Sequence, residues 1–298
     1  MDQVDSAIVE LLEADGRMSY SDIARRLHVS RAAAAMHTER LIRSGAVDVR
    51  AVVNPEVMGL TCLGYLILRV GVAPSAVADS VASLPDAAFV STVTGPAGVI
   101  AELRSVSAEA FADTVDRVRL VQGVQSIETL MYSRILRDAI APVGPIAGTV
   151  DRKDLELLRE LQEDGRMPFV ELAQRTAISA AAARRRVMSL VDRRAVRFGS
   201  VRSRADAGAR ALLEVGVRLT RPRGEVEQAI MRDPAIIFYG EVSGAFDLLL
   251  TMRASAVVDL AAGLDRIRTI PGVGDVESWL HLDIAKESYA RVQVPGRG

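Results

Sequence analysis

Two groups of residues carry the chemistry in this chain. The first is the run Arg184-Arg185-Arg186, with Arg193, Arg194 and Arg197 close behind. Guanidinium groups present planar, forked donors that match phosphate oxygens and the guanine edge in a duplex groove. A solvated basic helix face accounts for the same run. The second group is Ser243-Gly244-Ala245-Phe246-Asp247. Here Gly244 permits close backbone approach, neighbouring amides can hold a carboxylate, and Asp247 can pair with an ammonium. Those are the needs of a zwitterionic amino acid, although Asp247 also suits a turn that starts a strand. The histidines are His28, His37 and His281, and Cys62 is the single cysteine. They give no Ser/His/Asp set, no metal-ligand spacing and no phosphate-binding glycine loop. The expectation is a protein without enzymatic activity, metal or cofactor, with His281 at the surface or the edge of a core.

The elements that position these residues come in two copies. Gly16-Arg17-Met18 recurs as Gly165-Arg166-Met167, an offset of 149 in 298 residues. Over positions 2–47 the offset gives 16 identities, where chance gives about three. It continues through Phe89/Phe238, Gly95/Gly244, Gly123/Gly272 and Glu128/Glu277. The chain is therefore a tandem duplication joined by a small-residue and proline stretch, Ala139 to Thr149.

Each copy opens with three short helices. Val4, Ile8, Leu11 and Leu12 make one apolar helical face that ends near Asp15-Gly16. A second helix runs from a cap at Ser21 through Leu27, and after a turn at His28-Val29 a third starts from Ser30. Ala34, Thr38 and Leu41 point inward, and Gly45 closes it. A short β-ribbon follows at Val49 to Val53. Two helices joined by a tight turn, the second capped by serine and opening with small residues, suit insertion into a major groove. An ordinary three-helix packing unit has the same pattern. Copy 1 carries seven arginines against eight acids over 1–53; copy 2 carries eleven arginines and one lysine against eight acids over 151–202. With Ala183, Val187 and Leu190 inward, Arg185 and Arg186 are expected to face outward, flanked by Arg184. DNA contact is assigned to Ser30, Arg31, His37 and Arg40 in copy 1 and to Ser179, Arg184, Arg185 and Arg186 in copy 2, with copy 2 dominant.

The remainder of each copy reads as βαββαβ, a split βαβ layout with two helices on one face of an antiparallel sheet. Strands are expected from Leu63 and Ala211 onward, with the last at Val124 to Met131 and Val273 to Leu282. The other sheet face is apolar and needs a partner. The linker is long enough for the two sheets to meet face to face within one chain; pairing between chains by domain swapping is the alternative.

Taken together, these segments resemble the Lrp/AsnC (leucine-responsive regulator) family. The likeness lies in Asp151 to Arg166 as the opening helix, Ser30 to Arg43 as the recognition helix, Val53-Asn54-Pro55 with Gly59 as the inter-domain strand, Gly240 to Asp247 as the β2–β3 ligand loop, and Pro271-Gly272-Val273 before the last strand. The resemblance implies an α+β fold of two tandem units, each a winged helix-turn-helix domain followed by a ferredoxin-like RAM effector domain. The domains are 1–53, 60–138, a linker at 139–150, 151–202 and 209–290. It implies double-stranded DNA as partner and a small-molecule effector, an amino acid or related metabolite, held by Ser243, Gly244, Phe246 and Asp247, with Thr94 and Gly95 as copy-1 counterparts. The departures are His37 where the family usually has arginine, and Ala97-Gly98 in place of the aromatic–aspartate pair. Siroheme decarboxylases resemble the same family, so a decarboxylase-like enzyme is the alternative reading.

Composition is ordinary for a protein that buries real cores, 49% hydrophobic and 25% charged, with net charge −1. No apolar run approaches the roughly 20 residues that span a bilayer, and the acidic start Met1-Asp2-Gln3-Val4-Asp5 is unlike a signal peptide. The chain is expected in the cytoplasm, as a homo-oligomer of pseudo-dimeric chains.

Overall fold

A computed structural model describes residues 2–201, 211–288 and 292. Copy 1 contains α1 (Gln3–Ala14), α2 (Tyr20–Leu27), α3 (Arg31–Arg43) and β1 (Asp48–Val53). These lead to β2 (Cys62–Val70), α4 (Pro74–Ala82), β3 (Ala87–Val93), β4 (Gly98–Ser105), α5 (Ala108–Arg119) and β5 (Val124–Asp138). Copy 2 repeats the order with α6 (Arg152–Glu163), α7 (Phe169–Thr176), α8 (Ala180–Asp192) and β6 (Val196–Val201). Then come β7 (Ala211–Leu219), α9 (Arg223–Met231), β8 (Ile236–Ser243), β9 (Leu248–Ala254), α10 (Val257–Arg268) and β10 (Val273–Glu287). The boundary expected between 202 and 209 lies outside the described residues.

The chain divides into two compact units, and each gathers the same domain type from both copies. One unit holds the two sets of three helices. Ile8, Leu12, Ile23, Ala34 and Leu41 form one core; Leu157, Leu161, Leu172, Ala183, Val187 and Leu190 form the other. The caps are local and strong: Asp2 with Asp5, and Asp151 with Asp154, make reciprocal capping boxes. The second helix is capped by Ser19, whose hydroxyl accepts from Asp22 N, rather than by Ser21. The tight turn passes through left-handed His28 (φ 55°) and Ala177 (φ 53°). The β-ribbon is not internal to a copy. Instead β1 pairs antiparallel with β6, Asp48 opposite Val201 through Val53 opposite Val196. Ala51 and Val53 consequently pack in the copy-2 core, while Val49 packs in the copy-1 core. The linker docks on this unit: Ala147 N donates to Arg193 O at 3.0 Å, and Asn54 Nδ2 donates to Gly144 O at 3.0 Å.

The other unit joins both βαββαβ halves into one closed antiparallel barrel, in the order β10-β3-β4-β2-β5-β8-β9-β7. The last strand of each half is longer than its apolar pattern suggests, 15 residues in both cases. The first part of β5 pairs with its own β2, and its far end crosses to β8, Met131 opposite Ser243 through Asp138 opposite Phe238. Likewise β10 pairs with β7 and then with β3, His281 opposite Val93. The helices cover the outside through Leu66, Leu68, Val90 and Val99 in one half and Val215, Val217, Leu248 and Leu250 in the other. The alternate residues fill the barrel. The sheet face expected to be open thus meets its counterpart from the other copy, which removes sheet edges as well as apolar surface from water. Among the described residues no helix is long and apolar enough to cross a membrane.

Candidate functional site

The recognition helices α3 and α8 start alike. Ser30 Oγ accepts from Ala33 N at 3.0 Å, and Ser179 Oγ accepts from Ala182 N at 3.2 Å. Their basic residues then divide into two kinds. His37 Nδ1 lies 2.8 Å from Asp5 Oδ1, and Arg40 Nη2 donates to both Asp5 oxygens at 2.7 and 2.8 Å. In copy 2, Arg186 Nη1 donates to Asp151 Oδ2 and Asp154 Oδ1, both at 2.8 Å. His37, Arg40 and Arg186 therefore clamp their helix to the capping box of the first helix, and Arg186 does not face outward as its helical position suggested. Burial pulls the Asp5 carboxyl upward, but His37, the Asp2 backbone and Arg40 together hold it below the usual carboxylate range. Hydrogen bonds to Asp151 and Asp154 raise the Arg186 guanidinium above its usual value. Arg184 and Arg185 are different: both are exposed, and among the described residues neither has a partner. At their copy-1 positions stand Ala35 and the exposed Met36, so among the described residues the exposed cations of that helix without an ion pair are Arg31 in its first turn and Arg43 in its last.

The β8–β9 loop is built into the barrel. Gly244 sits at φ 142°, and a Cβ there would lie 2.7 Å from Leu130 Cδ2 and 2.9 Å from Thr129 O of β5. Its freedom is used for close approach by the other copy's strand. Phe246 is buried edge-on to Trp279, with the Arg218 guanidinium 4.6 Å above its ring. Asp247 Oδ2 accepts from Leu219 N at 2.8 Å, and its other oxygen lies 3.9 Å from Arg223 Nη2. Ser243 ends β8 opposite Met131. In the copy-1 loop, Thr94 N donates to Leu280 O, and Thr94 Oγ1 accepts from Leu280 N at 3.0 Å. Gly95 lies against Trp279. Both loops thus clasp the opposite copy's long strand.

A third arrangement lies inside the barrel. His281 is not at the surface: its side chain is 5% exposed, with Nε2 3.4 Å from Glu214 Oε2. His281 Nδ1 lies 3.0 Å from Ser91 Oγ, whose single proton goes to the carbonyls of Asp283 or Thr92. With that proton on a carbonyl, Ser91 Oγ accepts from Nδ1, and Nε2 faces the Glu214 carboxyl. Thr251 Oγ1 donates to Glu214 at 2.9 Å. Burial raises the Glu214 carboxyl, and nearby Glu102 adds to that, against the pull of His281 and Thr251. The Tyr65 hydroxyl is buried with no partner among the described residues, its acidity suppressed by burial and by Glu214.

A family model of the AsnC-type helix-turn-helix domain matches residues 1–42 and again 150–190, and one of the Lrp/AsnC ligand binding domain matches residues 210–291. The chain belongs to the Lrp/AsnC family. The transcriptional regulator FL11 of Pyrococcus furiosus is 25% identical over 140 residues, covering 46% of this chain and 93% of that protein. The regulator LysM of Sulfurisphaera tokodaii is 26% identical over 135 residues, 45% of this chain and 96% of that one. Such relatives correspond to one copy here. The siroheme decarboxylase NirDL shares the two-copy fold, with a TM-score of 0.66 at 14% identity over 97% of this chain and 94% of that one.

Within this Lrp/AsnC chain the sequence reading found both recognition helices and their caps but missed four residues. Arg17 and Arg166 were visible only as repeat markers, and their contacts run to the opposite copy. Glu214 and Tyr65 were hidden among apolar strand residues. A polar residue at an inward-alternating strand position was the available signal.

Proposed function

We propose that this protein is a sequence-specific DNA-binding transcriptional regulator in which one chain presents both winged helices to one duplex site with unlike halves. The observation that carries the reading is the pair of exposed guanidiniums, Arg184 and Arg185, without a partner among the described residues, on α8, against Ala35 and Met36 at the same positions of α3. Copy 2 supplies most of the affinity, and Arg31 is the main cationic contact of copy 1. Ser30 and Ser179 act as helix caps whose N-terminal amides meet phosphate. A small metabolite, an amino acid or a relative of one, acts through the barrel unit, and chains assemble into homo-oligomers in the cytoplasm. The protein carries out no catalysis. Gel-shift titrations across salt test this. Each lost phosphate contact lowers the log–log salt slope by about one, so Arg184→Ala/Arg185→Ala lowers it by about two and Arg31→Ala by about one at most. Equal effects of the two changes refute the asymmetry, and no binding to any duplex in a selected pool refutes the reading.

The alternative, an enzyme resembling siroheme decarboxylases, rests on one observation, the buried Glu214–His281 acid–base pair in the barrel. One of the similar NirDL structures holds an iron-uroporphyrin III analogue. Titrating purified protein with an iron porphyrin decides between the readings: a saturable Soret shift lost in His281→Ala supports the enzyme, and an unchanged spectrum supports the regulator.

A further inference from the structure

The repeated Gly-Arg-Met motif links the two winged helices to each other. Arg17 reaches across to copy 2, where Nη1 donates to Gly165 O at 2.6 Å and Nη2 to Met167 O at 3.0 Å. Arg166 returns the contact, donating to Gly16 O at 2.6 Å and Met18 O at 3.2 Å. The Arg17 guanidinium also stacks 4.6 Å from the Phe169 ring centroid and 5.2 Å from that of Phe198, and Arg166 lies 5.2 Å from Tyr20. Between them the backbones of the two copies touch directly: Gly16 N donates to Phe198 O and Gly165 N to Val49 O, both at 2.9 Å. A Cβ at Gly165 would lie 2.7 Å from Val49 O, so the glycine is what lets the backbones meet. Burial, followed by the like charge of Arg166, brings Arg17 down to about 10.

This bracket stands next to the recognition helices. Met167, which accepts from Arg17, precedes α7, and α7 packs on α8 through Leu172 and Ala173 against Ala183 and Val187. Met18, which accepts from Arg166, precedes α2, whose Ile23 and Ala24 pack with Ala34 and Leu41 of α3. Each guanidinium holds two carbonyls in a fixed fork and lies on a ring, a geometry that a lysine cannot reproduce. The β1–β6 ribbon alone leaves a two-stranded hinge that can twist; two reciprocal brackets beside it remove that freedom.

We propose that Arg17 and Arg166 are positioning residues that set specificity, fixing the separation and rotational phase of α3 and α8 so that the chain accepts one spacing between its two half-sites. This rests on the DNA-binding reading above. The test uses the full chain. A duplex selected by the wild type is rebuilt with the interval between half-sites changed by 1 to 5 base pairs, and affinities are measured for wild type, Arg17→Lys/Arg166→Lys and Arg17→Gln/Arg166→Gln. Wild type loses about tenfold or more at a five-base-pair change, half a helical turn. The variants flatten that profile to within about threefold, and lysine does not rescue it. A double electron–electron resonance measurement on Ala32→Cys/Ala181→Cys labels in a Cys62→Ser background reads the same freedom without DNA: a narrow distance distribution in wild type, a broad one in the variants. A folded Gln/Gln variant that keeps the wild-type spacing profile and the narrow distribution overturns the proposal and leaves the DNA-binding reading standing. Failure of the wild type to bind any duplex overturns both.

Discussion

Removing one member of the Glu214–His281 pair should unfold the barrel more readily than removing both. Glu214 is 4% exposed and the His281 side chain 5%, so neither keeps a hydration shell to fall back on. His281→Leu leaves a buried carboxylate facing Tyr65 and Glu102 with Thr251 as its remaining donor. Taking away one partner of a buried pair costs about 3–5 kcal/mol, whereas replacing both by apolar side chains of similar volume is close to neutral or stabilising. Each single variant, His281→Leu or Glu214→Leu, should therefore lose about 3–5 kcal/mol, roughly 6–20 °C in Tm for a unit of this size, and the coupling energy, the double less the sum of the singles, is about 6–10 kcal/mol in magnitude. Trp279, the chain's single tryptophan, is 4% exposed and stands two residues before His281, so denaturation followed by its fluorescence reports on this unit. Additive single changes, with coupling below about 0.5 kcal/mol, would show that the two side chains do not stabilise the barrel as a pair.

Other outcomes follow from the same geometry. Because the folded Glu214 carboxyl is raised above its ordinary value of 4.5, the fold holds that proton more tightly than the unfolded chain. Its contribution is complete at acid pH and is lost as pH climbs from about 4.5 through the raised value; Glu214→Gln should flatten barrel stability across that range. Asp5 and Asp151 are lowered, so their contribution is present above the ordinary 3.8 and is lost on acidification below it. Amide exchange should therefore show the helical unit opening first in acid, a difference absent in Asp5→Asn/Asp151→Asn. Gly244→Ala should destabilise the barrel by about 1–3 kcal/mol in urea, since its Cβ meets Leu130 and Thr129. Calorimetry with an amino-acid panel should give one site per chain, with Asp247→Ala abolishing the effector response; two equivalent sites would contradict a sensor confined to copy 2.

The parts of this fold that were legible in the sequence are those fixed within a dozen residues. Apolar spacing placed Ala34 and Leu41, and Ala183 and Leu190, on the inner faces of their helices, and the serine caps followed from local hydrogen-bonding chemistry. What stayed hidden depends on a partner far along the chain. A helical wheel gives the angle of Arg186 but not that Asp151 and Asp154 wait on that side. The alternation of β5 predicts a strand but not that it continues past Met131 to pair with β8, because that half has no alternation of its own. For His37 and Arg40 likewise the wheel gives the angle but not the Asp5 carboxylate that both meet.

Covalent duplication explains why the site could become asymmetric at all. In a homodimer every residue near the twofold axis meets its own copy, so a glutamate at the position of Glu214 would bring a second glutamate into the same barrel. Like charges in that setting raise both pKa values and weaken the pair of sheets. Here the 149-residue offset relates Glu214 to Tyr65, His281 to Tyr132, Thr251 to Glu102 and Gly240 to Ser91. All four inward positions differ between the copies. One seam uses histidine on Ser91, while the other packs the Tyr132 ring over Gly240, where a Cβ would come within 2.7 Å. The same freedom placed Arg184 and Arg185 on one recognition helix and Ala35 and Met36 on the other. A homodimer cannot separate these choices, and fusion into one chain makes two unlike recognition helices and a single ionisable pair physically available.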